Sequence, residues 1–83
     1  MDSVTRVKVC ADYHLELTFE TGETRLFDAR PYLDKGVFSQ LKDPALFSQA
    51  FVAFGTVCWP GNLDIAPETL YDRSRIVEPL SGR

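Results

Sequence analysis

One seven-residue segment organises the core of this chain: Tyr13-His14-Leu15-Glu16-Leu17-Thr18-Phe19. Its apolar side chains fall at every second position, which is the period of a β-strand with one buried face. The odd-numbered positions therefore predict the core face, and the even-numbered positions from His14 onward predict the solvent face. We expect this strand to anchor the hydrophobic core.

The hairpin after this strand determines which aromatic ring joins the core. The tripeptide Glu20-Thr21-Gly22 predicts a three-residue loop, a type I turn that a glycine with positive φ closes without Cβ strain. This loop places Phe27 beside Leu15 on the core face. A two-residue loop would instead place Leu26 beside Leu17 and send the Phe27 ring outward. We predict the three-residue loop because it buries the larger side chain.

The neighbouring segments complete an antiparallel meander. Residues 4–10 alternate in the same way and predict a first strand, whose two faces carry Thr5, Val7 and Val9 on one side and Arg6 and Lys8 on the other. A short turn at residues 11–12 leads to the second strand, and a third strand runs from Thr24 to about Asp28. Pro31 then ends the sheet because it cannot donate a ladder hydrogen bond.

A short helix follows the meander. Asp43 and Pro44 predict its start, with Asp43 as the N-cap and Pro44 at the first helical position. We expect the helix at about 43–50, with a buried stripe of Leu46, Phe47, Ala50 and Phe51. Phe51 either ends this stripe or begins a strand over residues 51–54, which its aromatic and β-branched neighbourhood favours. The loop before the helix is expected to pack three apolar side chains under the sheet: Val37, Phe38 and Leu41.

The C-terminal part is dense in turn chemistry. Val57-Cys58-Trp59 predicts a buried strand, which the turn Pro60-Gly61-Asn62 closes. Leu63-Asp64-Ile65 is expected to pair briefly, and Pro67 opens one helical turn at about 67–71. Beyond that turn we expect the chain to stay packed as far as Ile76 or Val77.

These segments predict an α+β fold: a small antiparallel β-meander of three N-terminal strands plus two further short strands, with one short helix at about 43–50 and a helical turn at about 67–71. A chain of 83 residues has room for one core, which buries roughly 60–68% of the unfolded surface. We expect a single domain over residues 1–83, packed over about 4–77 and frayed over about 78–83.

The charge balance narrows the range of functions. A net charge of −3 and a pI near 4.9 argue against direct nucleic-acid binding, which depends on clustered Lys and Arg side chains. The N-terminal segment carries charges where a signal peptide needs an apolar run, and no window approaches the roughly 20 apolar residues of a membrane span. We therefore expect a cytoplasmic protein with no membrane contact.

Residues that usually carry catalysis or bind metals are sparse. The single histidine, His14, lies on the polar face of its strand, where we expect a solvated imidazole and not a catalytic base. Cys10 and Cys58 lack the spacing of a metal site. We expect both thiols to be reduced and buried, because a disulfide would need adjacent strands and an oxidising compartment. We predict no catalytic residues, no metal and no cofactor.

The stretch around Trp59 allows two interpretations. In the first, the Trp59 ring ends a strand and packs under Leu63, Ile65 and Leu70. In the second, a shallow binding surface is formed by Trp59, Asn62, Asp64 and Tyr71. The Asp64 carboxylate has a structural alternative, which is to accept hydrogen bonds from backbone N–H groups at the turn. A cavity walled by Trp59 would favour the second interpretation, and a closed environment would favour the first.

The order of these motifs resembles the DUF2442 family. The most specific part is the run Trp59-Pro60-Gly61-Asn62-Leu63-Asp64-Ile65, and the resemblance extends from about Val4 to Tyr71. The other matching positions are the strand at residues 13–19, Gly22, Arg25-Leu26-Phe27-Asp28, Pro31-Tyr32-Leu33, Phe38, Leu41 and Phe47. The resemblance implies a bacterial protein whose small α+β fold is like the N-terminal domain of a nitrosomonad protein. It implies no activity, since the family is named for its unknown function.

Two groups of family members are relevant to the kind of partner that this chain binds. Some carry a helix-turn-helix DNA-binding domain after this module, but about a dozen residues follow Tyr71, so we expect no DNA-reading helix here. Others resemble the product of a gene next to a small DUF4160 protein, an arrangement typical of toxin and antitoxin pairs. The resemblance therefore implies a protein partner encoded by a neighbouring gene.

Two hypotheses about function follow. The first is a protein-interaction or accessory module, an antitoxin-like partner of a small basic protein, whose charge the net −3 of this chain complements. Exposed strand edges and small size also favour a homodimer or higher oligomer. The second is a small-molecule or nucleotide-binding domain, or a minimal enzyme, with a pocket near Trp59.

Overall fold

The computed structural model describes residues 2–77, which form two antiparallel sheets. Sheet A has the strand order β1-β2-β3-β7 and sheet B the order β4-β5-β6. The strands are β1 Val4–Cys10, β2 His14–Phe19, β3 Thr24–Asp28, β4 Phe51–Ala53, β5 Thr56–Trp59, β6 Leu63–Ile65 and β7 Ser74–Ile76. The helices are α1 Pro44–Phe47 and α2 Pro67–Asp72, and 3-10 segments span Arg30–Tyr32 and Gly36–Lys42. The predicted α+β fold and its three-stranded meander are confirmed; four strands follow the meander where two were predicted.

The register of the central hairpin is the predicted one. Leu15 lies opposite Phe27 in the ladder between β2 and β3, and both residues are buried. Gly22 closes the three-residue loop with φ 95°, and its N–H donates to the Phe19 carbonyl over 2.8 Å. The larger ring therefore faces the core, as the three-residue loop requires.

Strand β1 departs from strict alternation through a β-bulge. Val4 pairs with Phe19 and Arg6 pairs with Thr18, so Thr5 is an extra residue without an opposite partner. The bulge turns Val4 inward, where it is buried, and leaves Thr5 exposed. The predicted face of Thr5, Val7 and Val9 is therefore wrong at Thr5, because an inserted residue shifts the two-residue period by one position.

The two sheets meet at one corner, where the start of β1 touches the turn between β4 and β5. The Val4 N–H donates to the Gly55 carbonyl over 2.8 Å. Gly55 has φ 73°, and a Cβ built on it would lie 3.1 Å from the Ser3 hydroxyl. Only a glycine combines this backbone conformation with so close an approach.

One hydrophobic cluster fills the space between the sheets and beneath the helices. Sheet A contributes the inner faces of β2 and β3, and sheet B contributes the inner faces of β5 and β6. Its buried members are Val4, Leu15, Leu17, Phe19, Phe27, Ala29, Leu33, Leu41, Phe47, Val57, Trp59, Leu63, Ile65 and Leu70.

Helix α1 begins as predicted and ends earlier. The Asp43 carboxylate accepts a hydrogen bond from the Ala45 N–H over 3.0 Å, and Pro44 follows it. The helix stops at Phe47 and does not reach residue 50, so Phe51 belongs to β4 and is 44% exposed. Of the two alternatives for Phe51, the favoured strand is observed and the buried helical stripe is wrong, because pairing with β5 turns the ring outward.

The loop before α1 follows the prediction only in part. Leu41 is buried and Phe38 packs partly against the core, but Val37 is 60% exposed. Val37 was wrongly predicted to lie under the sheet. It lies near the start of a 3-10 segment, where side chains three residues apart share a face and Phe38 and Leu41 already take the inner one.

Strand β7 was not predicted, although the packing of residues up to 77 was. It pairs with β3, with Leu26 opposite Arg75 and Phe27 opposite Ser74. The tail predicted to fray, residues 78–83, lies outside the described residues. In the part of the chain that the structure describes, no helix is long and apolar enough to cross a membrane.

Candidate functional site

The outer face of sheet B carries a depression that combines apolar side chains with one carboxylate. Ladder pairing aligns Phe51, Cys58 and Asp64 across the three strands, and all three side chains face away from the core. The depression has a volume of about 330 Å³ and extends from the β4–β5 turn to the β5–β6 turn. It is open and shallow, so it can receive a protruding side chain.

The turn at the edge of this depression holds the most exposed aromatic ring among the described residues. Phe54 and Gly55 form a two-residue turn between the paired Ala53 and Thr56, with φ 55° and 73°. Positive φ at both positions is the signature of a type I′ turn, which favours Asn, Asp or Gly. This turn instead has a phenylalanine at its first position. Phe54 is 99% exposed and lines the depression.

Trp59 belongs to the core, as the first interpretation of the sequence predicted. It is 1% exposed, and its ring stacks on Phe47 with a centroid distance of 5.8 Å. The indole Nε1–H donates to the Phe47 carbonyl over 2.9 Å. Trp59 also contributes to the wall of the depression, but its indole N–H is already paired within the core.

Asn62 and Asp64 are exposed and line the same depression. Asn62 lies in the β5–β6 turn with φ 64°, a conformation that asparagine tolerates better than most residues. The structure gives the Asp64 carboxylate no backbone N–H partner among residues 2–77, so its proposed structural role at the turn is not observed. It remains a solvent-facing negative charge.

Tyr71 lies apart from the other three predicted site residues. Its ring packs edge-on against Phe19 at 5.1 Å and stacks under the Arg25 guanidinium at 4.2 Å. A hydrogen bond to Glu23, together with burial, raises the pKa of the Tyr71 hydroxyl. Tyr71 does not line the depression, because helix α2 directs it toward sheet A.

The depression is lined by aliphatic and aromatic side chains, one thiol, one amide and one carboxylate. Cys10 and Cys58 are free thiols. Burial raises the pKa of the Cys58 thiol, and the nearby Asp64 charge raises it further, so the nucleophilic thiolate is disfavoured. The remaining lining groups are apolar, apart from the Asn62 amide and turn backbone. An apolar surface beside a single carboxylate can hold an apolar side chain next to a cation.

Phe51 and Phe54 were missed as surface residues by sequence reasoning. Phe51 was predicted either to end a buried helical stripe or, as favoured, to begin a strand, and Phe54 was predicted to end that strand. The available signal was the Phe54-Gly55 dipeptide between two short β-prone runs, which is a hairpin turn with an aromatic residue where Asn is usual.

With this geometry in place, comparison with known proteins identifies the family. The family model described as "Protein of unknown function (DUF2442)" matches residues 4–75. The chain belongs to the DUF2442 family. The match covers both sheets except the last residue of β7, and it covers the whole depression, so this site lies within the family module. Neither the search of curated proteins nor the search of solved structures finds a significant match.

A second group of polar residues lies at the far end of sheet A. Arg30 donates to both carboxylate oxygens of Asp28, over 3.0 Å and 2.9 Å, and to Asp12 over 3.0 Å. His14 Nδ1 lies 2.9 Å from the Asp12 carbonyl, and His14 Nε2 lies 3.9 Å from the Asp28 carboxylate. The hydrogen bonds from Arg30 hold the pKa of Asp28 at about 2, and burial opposes this only in part.

This ion pair predicts a specific acid dependence of stability. Because the folded-state pKa of Asp28 lies below its unfolded value, the pair stabilises the fold above about pH 4 and loses this effect as the pH falls toward 2. Both partners are more than a third exposed, so solvent screening keeps the contribution small. Urea unfolding should show Asp28→Asn less stable than wild type near neutral pH, with a difference that shrinks as the pH falls from about 4 through 2. A difference that stays the same from neutral pH down to pH 2 would contradict the assignment.

Proposed function

We propose that this protein is a cytoplasmic bacterial protein-interaction module, an antitoxin-like partner of a small basic protein, which it contacts through Phe54 and the depression beside it. Phe54 carries the proposal. Its ring is 99% exposed and its φ is 55°. A left-handed conformation costs a residue with a Cβ roughly 1–2 kcal/mol, and an exposed ring recovers none of that by burial. Phe54 therefore costs the isolated chain stability, which favours a role in binding.

Burial of the Phe54 ring in a partner would offset the free energy that its left-handed conformation costs. Fully burying a phenylalanine side chain is worth roughly 1.5–3 kcal/mol. The neighbouring Phe51 is 44% exposed, and it would extend the apolar contact. Aromatic anchors of this kind are enriched at the centres of protein interfaces.

Charge defines the chemistry of the partner. Asp64 places a carboxylate in the depression, and the whole chain has a net charge of −3. A partner that presents an apolar pocket flanked by Lys or Arg would complement both features, and its positive charge would speed the encounter. This complementarity favours a small basic protein over a second acidic copy of this chain.

The ligand-binding alternative has less support. It requires a pocket walled by the Trp59 ring, but that ring stacks on Phe47 and its N–H is hydrogen-bonded inside the core. The depression beside it is shallow and open, whereas small-molecule sites enclose most of their ligand.

Photo-crosslinking in native cells tests the proposal. Phe54 is replaced by a photoreactive phenylalanine analogue, and the matched control carries the analogue at Val37, which is also apolar and 60% exposed. We expect one discrete adduct with a basic protein at position 54 and none at position 37. Mass spectrometry of the adduct should map the crosslink to an apolar segment next to a Lys or Arg residue.

The substitution Phe54→Asn provides the second arm. We expect that the protein found in the adduct no longer co-purifies with this variant. We expect the free energy of unfolding in urea to be unchanged or raised by roughly 0.5–1 kcal/mol, because asparagine suits positive φ. Identical adducts at positions 54 and 37 would overturn the proposal. Adducts only with a second copy of this chain would replace the basic partner with a homodimer.

A further inference from the structure

The outer face of sheet A is a separate surface, on the side away from the core. Across its four strands, Lys8, Glu16, Leu26 and Arg75 form one lateral row. Arg6 lies two residues from Lys8 on the same face. Basic side chains thus gather on one side of a chain whose net charge is −3.

A polar cleft of about 530 Å³ opens at one end of this face, beside the C-terminus of helix α2. Its walls come from β2, β3 and β7 and from the loops that flank them. The charged and titratable groups that line it are His14, Asp28, Arg30, Asp72, Arg73 and Arg75. Leu26 provides an apolar floor.

The positive charges in this cleft are not equivalent. Arg30 is neutralised, because it binds both oxygens of Asp28 and one oxygen of Asp12. The guanidinium groups of Arg73 and Arg75 form no ion pair with another side chain of residues 2–77. Asp72 is the one other carboxylate of the lining, so the guanidinium groups of Arg73 and Arg75 outnumber the lining carboxylates that the Arg30 cluster does not already pair.

The residue between the two arginines is held firmly. Ser74 is buried, its hydroxyl accepts from Arg25 Nε over 2.8 Å and donates to the Tyr71 carbonyl over 3.0 Å. The Ser74 carbonyl accepts from a second Arg25 nitrogen over 2.9 Å. These bonds fix the backbone on which Arg73 and Arg75 are carried, so the two side chains reach the same cleft from an ordered segment.

We propose that this cleft binds a phosphate group, with Arg73 and Arg75 as the recognising residues. A guanidinium presents its N–H donors in a planar fork that matches two oxygens of a phosphate. Two such forks carried on one fixed segment can hold one phosphate group, and the apolar Leu26 floor leaves room for the organic part that bears it. This site is independent of the Phe54 surface and does not rest on the proposed protein interaction.

Titration of the full chain followed by NMR tests the proposal. The probes are inorganic phosphate, adenosine monophosphate with adenosine as its control, and a phosphoserine peptide with its unphosphorylated form, in about 0.15 M salt to suppress weak surface attraction. We expect saturable binding of the phosphate-bearing probes, with dissociation constants on the order of millimolar or tighter. The shifted amides should cluster at Leu26, Ser74 and Arg75. The stronger of the two organic probes identifies the source of the phosphate.

Two double variants, each of which removes two positive charges, distinguish a specific phosphate site from general electrostatic attraction. The double variant Arg73→Gln/Arg75→Gln should weaken binding at least about tenfold, a change of ~1.4 kcal/mol. The control Arg6→Gln/Lys8→Gln removes the same charge from the same sheet face outside the cleft and should change binding less than about twofold. Equal losses in both variants, or no saturable binding in wild type, would overturn the proposal. A short oligonucleotide is titrated as a further probe, and tighter binding of it that also needs Arg6 and Lys8 would replace the proposal with a nucleic-acid surface.

Discussion

Replacing Trp59 with alanine is expected to destabilise the protein by about 3–5 kcal/mol. The residue is 1% exposed, stacks on Phe47 and lies opposite Leu63 at the end of β5. Truncation leaves a cavity between the two sheets, and small domains have only about 5 kcal/mol to lose. Urea unfolding followed by circular dichroism should show a variant that is largely unfolded without denaturant.

A milder substitution at Trp59 separates the packing of its ring from the hydrogen bond of its indole N–H. Trp59→Phe keeps a ring against Phe47 but removes the indole N–H donor, so the Phe47 carbonyl keeps only the longer bond from the Ala50 N–H, over 3.3 Å. We expect the lost hydrogen bond to cost roughly 0.5–1.5 kcal/mol. Phe54→Asn serves as the exposed control and should cost nothing. If Trp59→Ala lost less than about 1 kcal/mol, the ring would not be a core residue, and the ligand-pocket alternative would gain support.

Replacing Arg25 with leucine is expected to release β7 from sheet A. The Arg25 side chain is 13% exposed. It donates to the Ser74 hydroxyl and carbonyl, pairs with Glu23 over 3.1 Å and lies over the Tyr71 ring. Losing charge-assisted bonds in a partly buried site should cost about 2–3 kcal/mol.

Hydrogen exchange measures this release directly. The Val77 N–H donates to the Thr24 carbonyl over 2.9 Å, so its exchange reports the attachment of the last strand. We expect exchange at Val77 to accelerate more in Arg25→Leu than exchange at the buried Leu17 amide. Arg25→Lys retains the charge without the planar fork and should give an intermediate effect. Equal acceleration at both amides would mean that Arg25 supports the whole fold and not β7 in particular.

The success of the sequence predictions depended on the range of the interactions involved. The hairpin of Leu15 and Phe27 was predicted correctly, because strand alternation and the Gly22 loop are local properties that select one register. The Asp43 cap was predicted for the same reason. The bulge at Thr5 and the outward Val37 were not predicted, because each depends on what lies opposite that residue in the fold.

The same difference between local and distant interactions applies to the candidate site. Asn62 and Asp64 line one depression, but Tyr71, which was predicted to share a binding surface with them, does not. Helix α2 directs Tyr71 to Arg25 and Phe19 instead. The exposed position of Phe54 was not predicted, because an apolar residue in a β-prone run predicts burial.

The sequence alone determined the elements whose causes lie within a few residues: the core strand at residues 13–19, its three-residue loop, the capped start of α1 and the turn after Trp59. It also determined the family, since the match spans residues 4–75. The tertiary structure decided the rest, including the inward Trp59 ring, the pairing of β7 through Arg25, the exposed Phe54 turn and the cleft at Arg73 and Arg75. The physical reason is that these features arise from contacts between residues distant in the chain, and periodicity and turn chemistry carry no information about which distant residues meet.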